Sequence, residues 1–341
     1  MRTRLRTQFP ANREINRGFR PIPSLNSYFD GQYASVLESD FRYTQQRREQ
    51  TESAARPEYS SALCAPGAAQ QGDLRARGVG KIYAAGNESV VALESCSLDI
   101  ASRQFCALVG PSGCGKTTLL NAIAGFDALT SGEIELDGRI INSARGHLKP
   151  GPDRVVVFQN GALFPWATVR ENLVRGPIIQ QRITYREAER RALALLGRVG
   201  LVDVASAYPA ALSSGMRRRV EIVRALLCDP AVILLDEPFR GLDTVSKAST
   251  HQFLLDLWAA APKTLLLITH DLDEALFLAD RVVVMTTRPG RVKVEFAVNL
   301  PRPRPPHVMA SRAFLDLKAQ LIDAVHEEAV KAFVAGEREL A

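Results

Sequence analysis

Residues Gly110, Pro111, Ser112, Gly113, Cys114, Gly115, Lys116, Thr117 and Thr118 form the pattern G-x-x-x-x-G-K-[ST], a loop suited to binding nucleotide phosphates. Its glycines let the backbone turn tightly and aim successive N–H groups at anionic oxygens. Lys116 supplies a point charge for the β- and γ-phosphates, and the Thr117 hydroxyl can ligate Mg²⁺. A second set of chemical groups follows 120 residues after Lys116, where Val232-Ile-Leu-Leu ends in Asp236, Glu237 and Pro238. An apolar strand ending in Asp sets a carboxylate beside a phosphate-bound metal. Glu237, next in line, can orient and deprotonate an attacking water.

These groups need a scaffold that delivers strand ends to one place. Phe105–Val109 is an apolar run of strand length, and Thr117–Ala124 reads as the helix whose N-terminus receives the phosphates. Val155–Phe158, Val232–Leu235, Leu265–Ile268 and Arg281–Met285 read as further buried strands, and Ile134–Leu136 enters a turn at Asp137-Gly138. Thr184 to Glu187 is a capping box, followed by Ala188, Ala192, Leu195, Leu196 and Val199 at helical spacing and by Gly200 as a stop. Asp271 to Glu274 opens another helix in the same way. Strands alternating with helices predict an α/β fold with a parallel sheet.

Hydrophobic residues make up 46% of the 341, an ordinary globular content, and no apolar run is long enough to span a bilayer. The five cysteines, Cys64, Cys96, Cys106, Cys114 and Cys228, have neither metal-ligand nor disulfide-framework spacing, which fits a reducing, cytosolic setting. Net charge is +6, of which residues 1–78 carry +4, with 12 Arg, no Lys and 8 acidic residues. The basic balance therefore belongs to a tail and argues against nucleic acid as a partner. That segment lacks a helical or strand period and reads as a disordered extension; no apolar core follows Met1-Arg-Thr-Arg, so it is not a secretory signal. Near the other end, Pro301 to Pro306 reads as a stiff linker, and Phe314, Leu317, Leu321, Val325 and Phe333 trace an amphipathic helix within residues 307–341.

Between the two chemical segments lie Leu212, Ser213, Ser214, Gly215, Met216, Arg217, Arg218 and Arg219. This stretch resembles the signature of ABC transporter ATPases, L-S-G-G-[QM]-x-[QR]-R. Further matches come in order: Gln159 as the Q-loop residue, Leu242-Asp243 as the D-loop, His270 as the switch histidine, and Tyr83 as the aromatic that stacks on adenine. The resemblance runs from Val79 to Pro306. The segments Val157–Asn172 and Thr269–Asp280 are similar to taurine, nitrate and aliphatic-sulfonate importers, and Pro150–Gln159 leans towards the taurine type.

The resemblance implies a P-loop ABC ATPase domain over residues 79–306 with a mixed sheet core and a helical signature subdomain near 168–230. It implies a homodimer of nucleotide domains, each ATP lying between one subunit's loop and the other's signature. Thr117, Asp236 and Gln159 are the implied Mg²⁺ residues, Glu237 the base, and Gln159 and His270 the γ-phosphate sensors. Implied partners are an integral-membrane permease and a solute-binding protein, with the chain peripheral on the cytoplasmic face of the inner membrane. Phe164-Pro165-Trp166 belongs either to a groove for a permease helix or to the core. Two positions depart from the family. Ser214 replaces a glycine of the signature, and Arg240 stands where a small residue is usual before the D-loop. Ser214 keeps open a nucleotide-binding regulatory subunit with impaired hydrolysis. A soluble, non-transport ABC ATPase is the other alternative, although it lacks support from a second nucleotide domain or a coiled-coil insertion.

Overall fold

The computed structural model describes residues 71–85 and 88–334. Residues 1–70, most of the expected extension, together with Cys64 and residues 335–341, lie outside the described residues.

One sheet has six strands. Strands β3 (Phe105–Val109), β7 (Arg154–Val157), β8 (Val232–Asp236), β9 (Thr264–Ile268) and β10 (Arg281–Met285) run parallel, and β11 (Val292–Ala297) adds an antiparallel edge, in the order β11-β10-β3-β9-β8-β7. The central strands are apolar throughout because both faces are covered. Successive residues serve two different cores. Phe105, Ala107, Ile233, Leu235, Leu265 and Leu267 join the helix-covered core, whereas Cys106, Leu108, Val232, Leu234, Leu266 and Ile268 join a second core.

That second core lies against α1 (Lys116–Ala124) and an antiparallel sheet of β1 (Leu74–Ala85), β2 (Glu88–Ile100), β4 (Ser131–Leu136), β5 (Arg139–Ser143) and β6 (Gly146–His147), ordered β2-β1-β4-β5-β6. The domain thus starts before Val79. Leu74 and Ala76 are buried strand residues, so residues 74–78 are not part of a disordered extension. Register shifts between Ala76 and Val79 and between Val79 and Lys81 interrupt the alternation that would have marked this strand. The four described cysteines, Cys96, Cys106, Cys114 and Cys228, are buried and free.

The helical subdomain comprises α2 (Val169–Ile179), α3 (Tyr185–Arg198) and α4 (Ser214–Leu227). Thr168 caps α2 with a reciprocal capping box to Glu171. Thr184 caps α3 by accepting from the Glu187 N–H, and Glu187 itself turns to Arg190 and Arg191. Val169, Leu173, Ala188, Ala192, Leu195, Leu196, Val220 and Val223 interlock between these helices, each large side chain contributing about 2 kcal/mol by leaving water.

On the other side, α5 (Thr244–Ala260) and α6 (Leu272–Leu278) follow β8 and β9. The proline-rich segment 301–306 is not a free linker. Arg302 stacks over Trp258 at 4.5 Å and pairs with Asp280 at 2.7 Å. Arg304, 1% exposed, donates to the carbonyls of Leu276, Phe277 and Ala279, which the end of α6 leaves without helical partners. Helix α7 (Arg312–Val334) then packs on α6, β10 and β11. Phe314 and Leu321 are buried, but Phe333 is 85% exposed, so the expected stripe leaves the domain surface before its end.

Candidate phosphate and metal site

Because β3, β7, β8 and β9 are parallel, their C-terminal ends emerge at one edge, where open α/β sheets bind ligands. The phosphate loop leaves β3, Gln159 follows β7, Asp236 and Glu237 end β8, and His270 follows β9. One sheet edge thus gathers residues spread over 160 positions of the sequence.

The loop requires its glycines. Gly113 has φ +76° and Gly115 φ +100°, and a Cβ on Gly115 would lie 2.8 Å from the Ala92 carbonyl oxygen. Gly115 also begins α1 with no side chain capping its first turn, which leaves the N–H groups directed towards an anion. Lys116 is 8% exposed, and its Nζ donates to the Gly110 and Pro111 carbonyls at 2.9 and 2.8 Å. The ammonium is therefore held within the loop it would neutralise. Cys114 Sγ lies 3.6 Å from Lys116 Nζ. Burial pushes the Cys114 thiol up, and Lys116 opposes this.

Thr117 Oγ1 lies 3.4 Å from Asp236 Oδ1. Burial pushes the Asp236 carboxyl up and the neighbouring Glu237 adds to the effect, while Thr117 and Lys116 pull the other way. Two hard oxygen donors, one of them a carboxylate, fit a divalent cation such as Mg²⁺. The Gln159 side chain makes no hydrogen bond to Thr117 or Asp236 among the described residues; the Gln159 main-chain carbonyl accepts from Arg218 Nη2 at 2.6 Å.

Glu237 has a left-handed backbone, φ 41°, pinned by its N–H donating to the Ile268 carbonyl at 2.9 Å. Its carboxylate is approached from two sides, His270 Nδ1 at 3.3 Å from Oε1 and Arg240 Nη1 at 3.2 Å from Oε2. Tyr83 stands beside α1. Its hydroxyl donates to Asp127 at 2.9 Å and Lys81 lies over its ring at 4.8 Å, so one ring face is already covered. Burial pushes the Tyr83 phenol up, with a Thr118 hydrogen bond opposing.

The signature residues lie elsewhere. Ser213 caps α4 by accepting from Met216 N–H, and Ser213 and Ser214 are exposed. Gly215 is buried against α5, where a Cβ would come 3.0 Å from Ser246 Cβ. Leu212 is buried in the helical core, with Met216 packed against it. Among the described residues, none of Ser213, Ser214 and Gly215 hydrogen-bonds the phosphate loop of its own chain. Asp243 caps α5 through the N–H groups of Val245 and Ser246.

Sequence reasoning passed over the struts behind this edge. Arg218 on α4 donates to the Phe158 and Gln159 carbonyls at 2.8 and 2.6 Å and pairs with Glu221 at 2.6 Å. Glu221 accepts from the Ala162 N–H, and Arg224 donates to the Ala162 carbonyl. The signature helix thereby holds the Gln159 segment by its backbone. The available signal was Arg218 itself, the [QR] position of the signature. Arg288, after β10, also reaches the phosphate loop, donating to the Gly113 carbonyl at 3.3 Å. Beside the Gln159 segment, Phe158, Phe164, Arg175, Ile179, Arg224 and Cys228 line an apolar groove of about 350 Å³, and Trp166 nearby is 68% exposed.

Comparison with known proteins gives one consistent result. A family model described as ABC transporter matches residues 93–240. The nitrate import ATP-binding protein NrtD of Synechocystis sp. is 43% identical over 65% of this chain and 80% of its own length. The taurine import ATP-binding protein TauB of Rhizobium johnstonii is 45% identical over 63% of this chain and 79% of its own. The bicarbonate transport ATP-binding protein CmpD of Synechocystis sp. is 40% identical over 74% and 89%. A solved dimeric bacterial ABC transporter cassette superposes with a TM-score of 0.59 at 31% identity, covering 67% of this chain and all of the cassette.

Proposed function

The chain belongs to the ABC transporter family and is an ATPase, and we propose that it energises import of a small anionic solute through a separate permease. Taurine, an aliphatic sulfonate or nitrate is the proposed class, supported by the import proteins it is similar to and by the taurine-type segments in its own sequence. The observation that carries the reading is the juxtaposition of Lys116, Thr117, Asp236, Glu237 and His270 at one sheet edge.

Lys116 and the loop N–H groups hold the phosphates. Thr117 and Asp236, with Gln159, would hold Mg²⁺, which when bound would offset phosphate charge. Glu237 orients a water whose oxygen bonds to the γ-phosphorus as the bond to the β-phosphate oxygen breaks. The electron pair leaves with ADP, and the water proton passes to Glu237. His270 steadies the carboxylate and senses the γ-phosphate. Positioning and charge do most of the work. Ser213, Ser214 and Gly215, which among the described residues make no hydrogen bond to their own loop, serve the loop of a second copy, and Tyr83 offers its open ring face to the base. The apolar groove beside Gln159 suits a permease helix, and this fit supports a peripheral position on the cytoplasmic face. Among the described residues no helix is long and apolar enough to cross a membrane. A solute-binding protein completes the proposed complex.

The test is co-expression with a candidate importer permease. The chain should fractionate with membranes only when that permease is present and should drive ATP-dependent uptake of taurine, a sulfonate or nitrate. Membrane association without the permease, or uptake unaffected by loss of this chain, contradicts the reading. Ser214 favours one other reading, a regulatory subunit; absence of ATP turnover in the assembled complex would select it.

A further inference from the structure

The arrangement around Glu237 contains one group that hydrolysis does not call for. Arg240 Nη1 donates to Glu237 Oε2 at 3.2 Å, and the Arg240 N–H donates to the Glu237 carbonyl at 3.2 Å, so a tight turn folds the guanidinium back onto the carboxylate. The Glu237 backbone is pinned to Ile268, which leaves only its side chain free to move. Both residues line a polar cleft of about 130 Å³ with Lys247, His270, Asp271 and Glu274. Lys247 is committed there to Asp271 at 2.5 Å and to Glu274 at 3.1 Å. Arg240 is instead paired with the carboxylate proposed to take the proton, and its side chain is 58% exposed. A guanidinium donates in a fixed fork and carries no acceptor. It therefore occupies a Glu237 oxygen without being able to relay a proton.

We propose that Arg240 is a positioning residue acting as a latch on Glu237. It holds Oε2 until the site is loaded, and its release is part of the barrier to turnover. This rests on the reading of Glu237 as the base. An exposed ion pair is weak, so the latch slows the reaction by a modest factor and does not block it.

The test uses the full chain, Mg-ATP and phosphate release. Arg240→Ala should raise kcat about fivefold while leaving KM for ATP within about twofold. Arg240→Lys, which keeps a cation for Glu237, should stay near the parent rate. In a Glu237→Gln background, Arg240→Ala should give no acceleration. An Arg240→Ala rate equal to or below the parent, or Arg240→Lys as fast as Arg240→Ala, overturns the latch. Glu237→Gln alone separates the two claims. Parental turnover in that variant removes Glu237 as the base, whereas loss of turnover combined with an unchanged Arg240→Ala rate removes only the latch.

Discussion

The phosphate-loop edge is assembled from segments spread over 160 positions and the signature is one contiguous stretch, and the fold treats the two in opposite ways. At the loop edge the charged side chains and the Thr117 hydroxyl are answered within the chain: Lys116 by two carbonyls, Thr117 by Asp236, and Glu237 by His270 and Arg240. At the signature, Gly215 packs inward on Ser246 while Ser213 and Ser214 face solvent at the start of α4. One region is finished and the other presents itself. Half of the proposed site is built by folding, and the other half waits for a second copy.

This contrast can be broken most forcibly at Lys116. Lys116→Ala should weaken nucleotide binding by about 100-fold or more, because the phosphates lose a charge-assisted partner worth ~3 kcal/mol. Titration calorimetry with ATP checks it, and near-parental affinity would mean that the backbone cradle suffices. The strut between the two regions comes next. Arg218 and Glu221 are nearly buried and paired at 2.6 Å, so Glu221→Ala should cost about 3 kcal/mol by stranding Arg218. A denaturant melt measures it, and ATP turnover should fall as the Gln159 segment loosens.

Smaller effects sharpen the comparison. Ser214→Gly should leave ATP affinity alone and raise hydrolysis in the assembled transporter several-fold, ~1 kcal/mol of barrier. A slower Gly variant would show that the hydroxyl is a useful contact. Asp236 carries a raised carboxyl pKa, chiefly through burial. Ionising it therefore costs the nucleotide-free fold stability that is intact below the ordinary carboxylate range and is lost as pH rises through the raised value. Asp236→Asn should raise the melting temperature at neutral pH while impairing Mg²⁺-dependent turnover. A lower melting temperature would refute the sign. Deleting residues 1–70, which spares β1 from Leu74, should leave hydrolysis within about twofold of the full chain.

What was legible in the sequence was mostly contiguous. The phosphate loop, the Asp236-Glu237 strand end and the buried strands announce themselves within a few residues each. What escaped depended on pairing at a distance or on a broken period. The start of β1 was hidden by its register shifts near Val79. Arg304 was hidden by composition, since a Pro-Arg alternation reads as solvated chain, whereas here the guanidinium gathers carbonyls that α6 leaves open. Arg218 reaches Phe158 and Gln159 about 60 positions away, and no local pattern encodes that reach. Arg240 stood out as a departure in the sequence, but its partner is set by the left-handed turn at Glu237.

Trapping Glu237→Gln with Mg-ATP tests most directly whether a complete site needs two copies. Analytical ultracentrifugation of that variant should show a nucleotide-dependent dimer that retains ATP, returning to monomer when the nucleotide is removed. A variant that binds ATP with parental affinity yet sediments as a monomer would contradict the account, because the exposed signature would then have no second loop to serve.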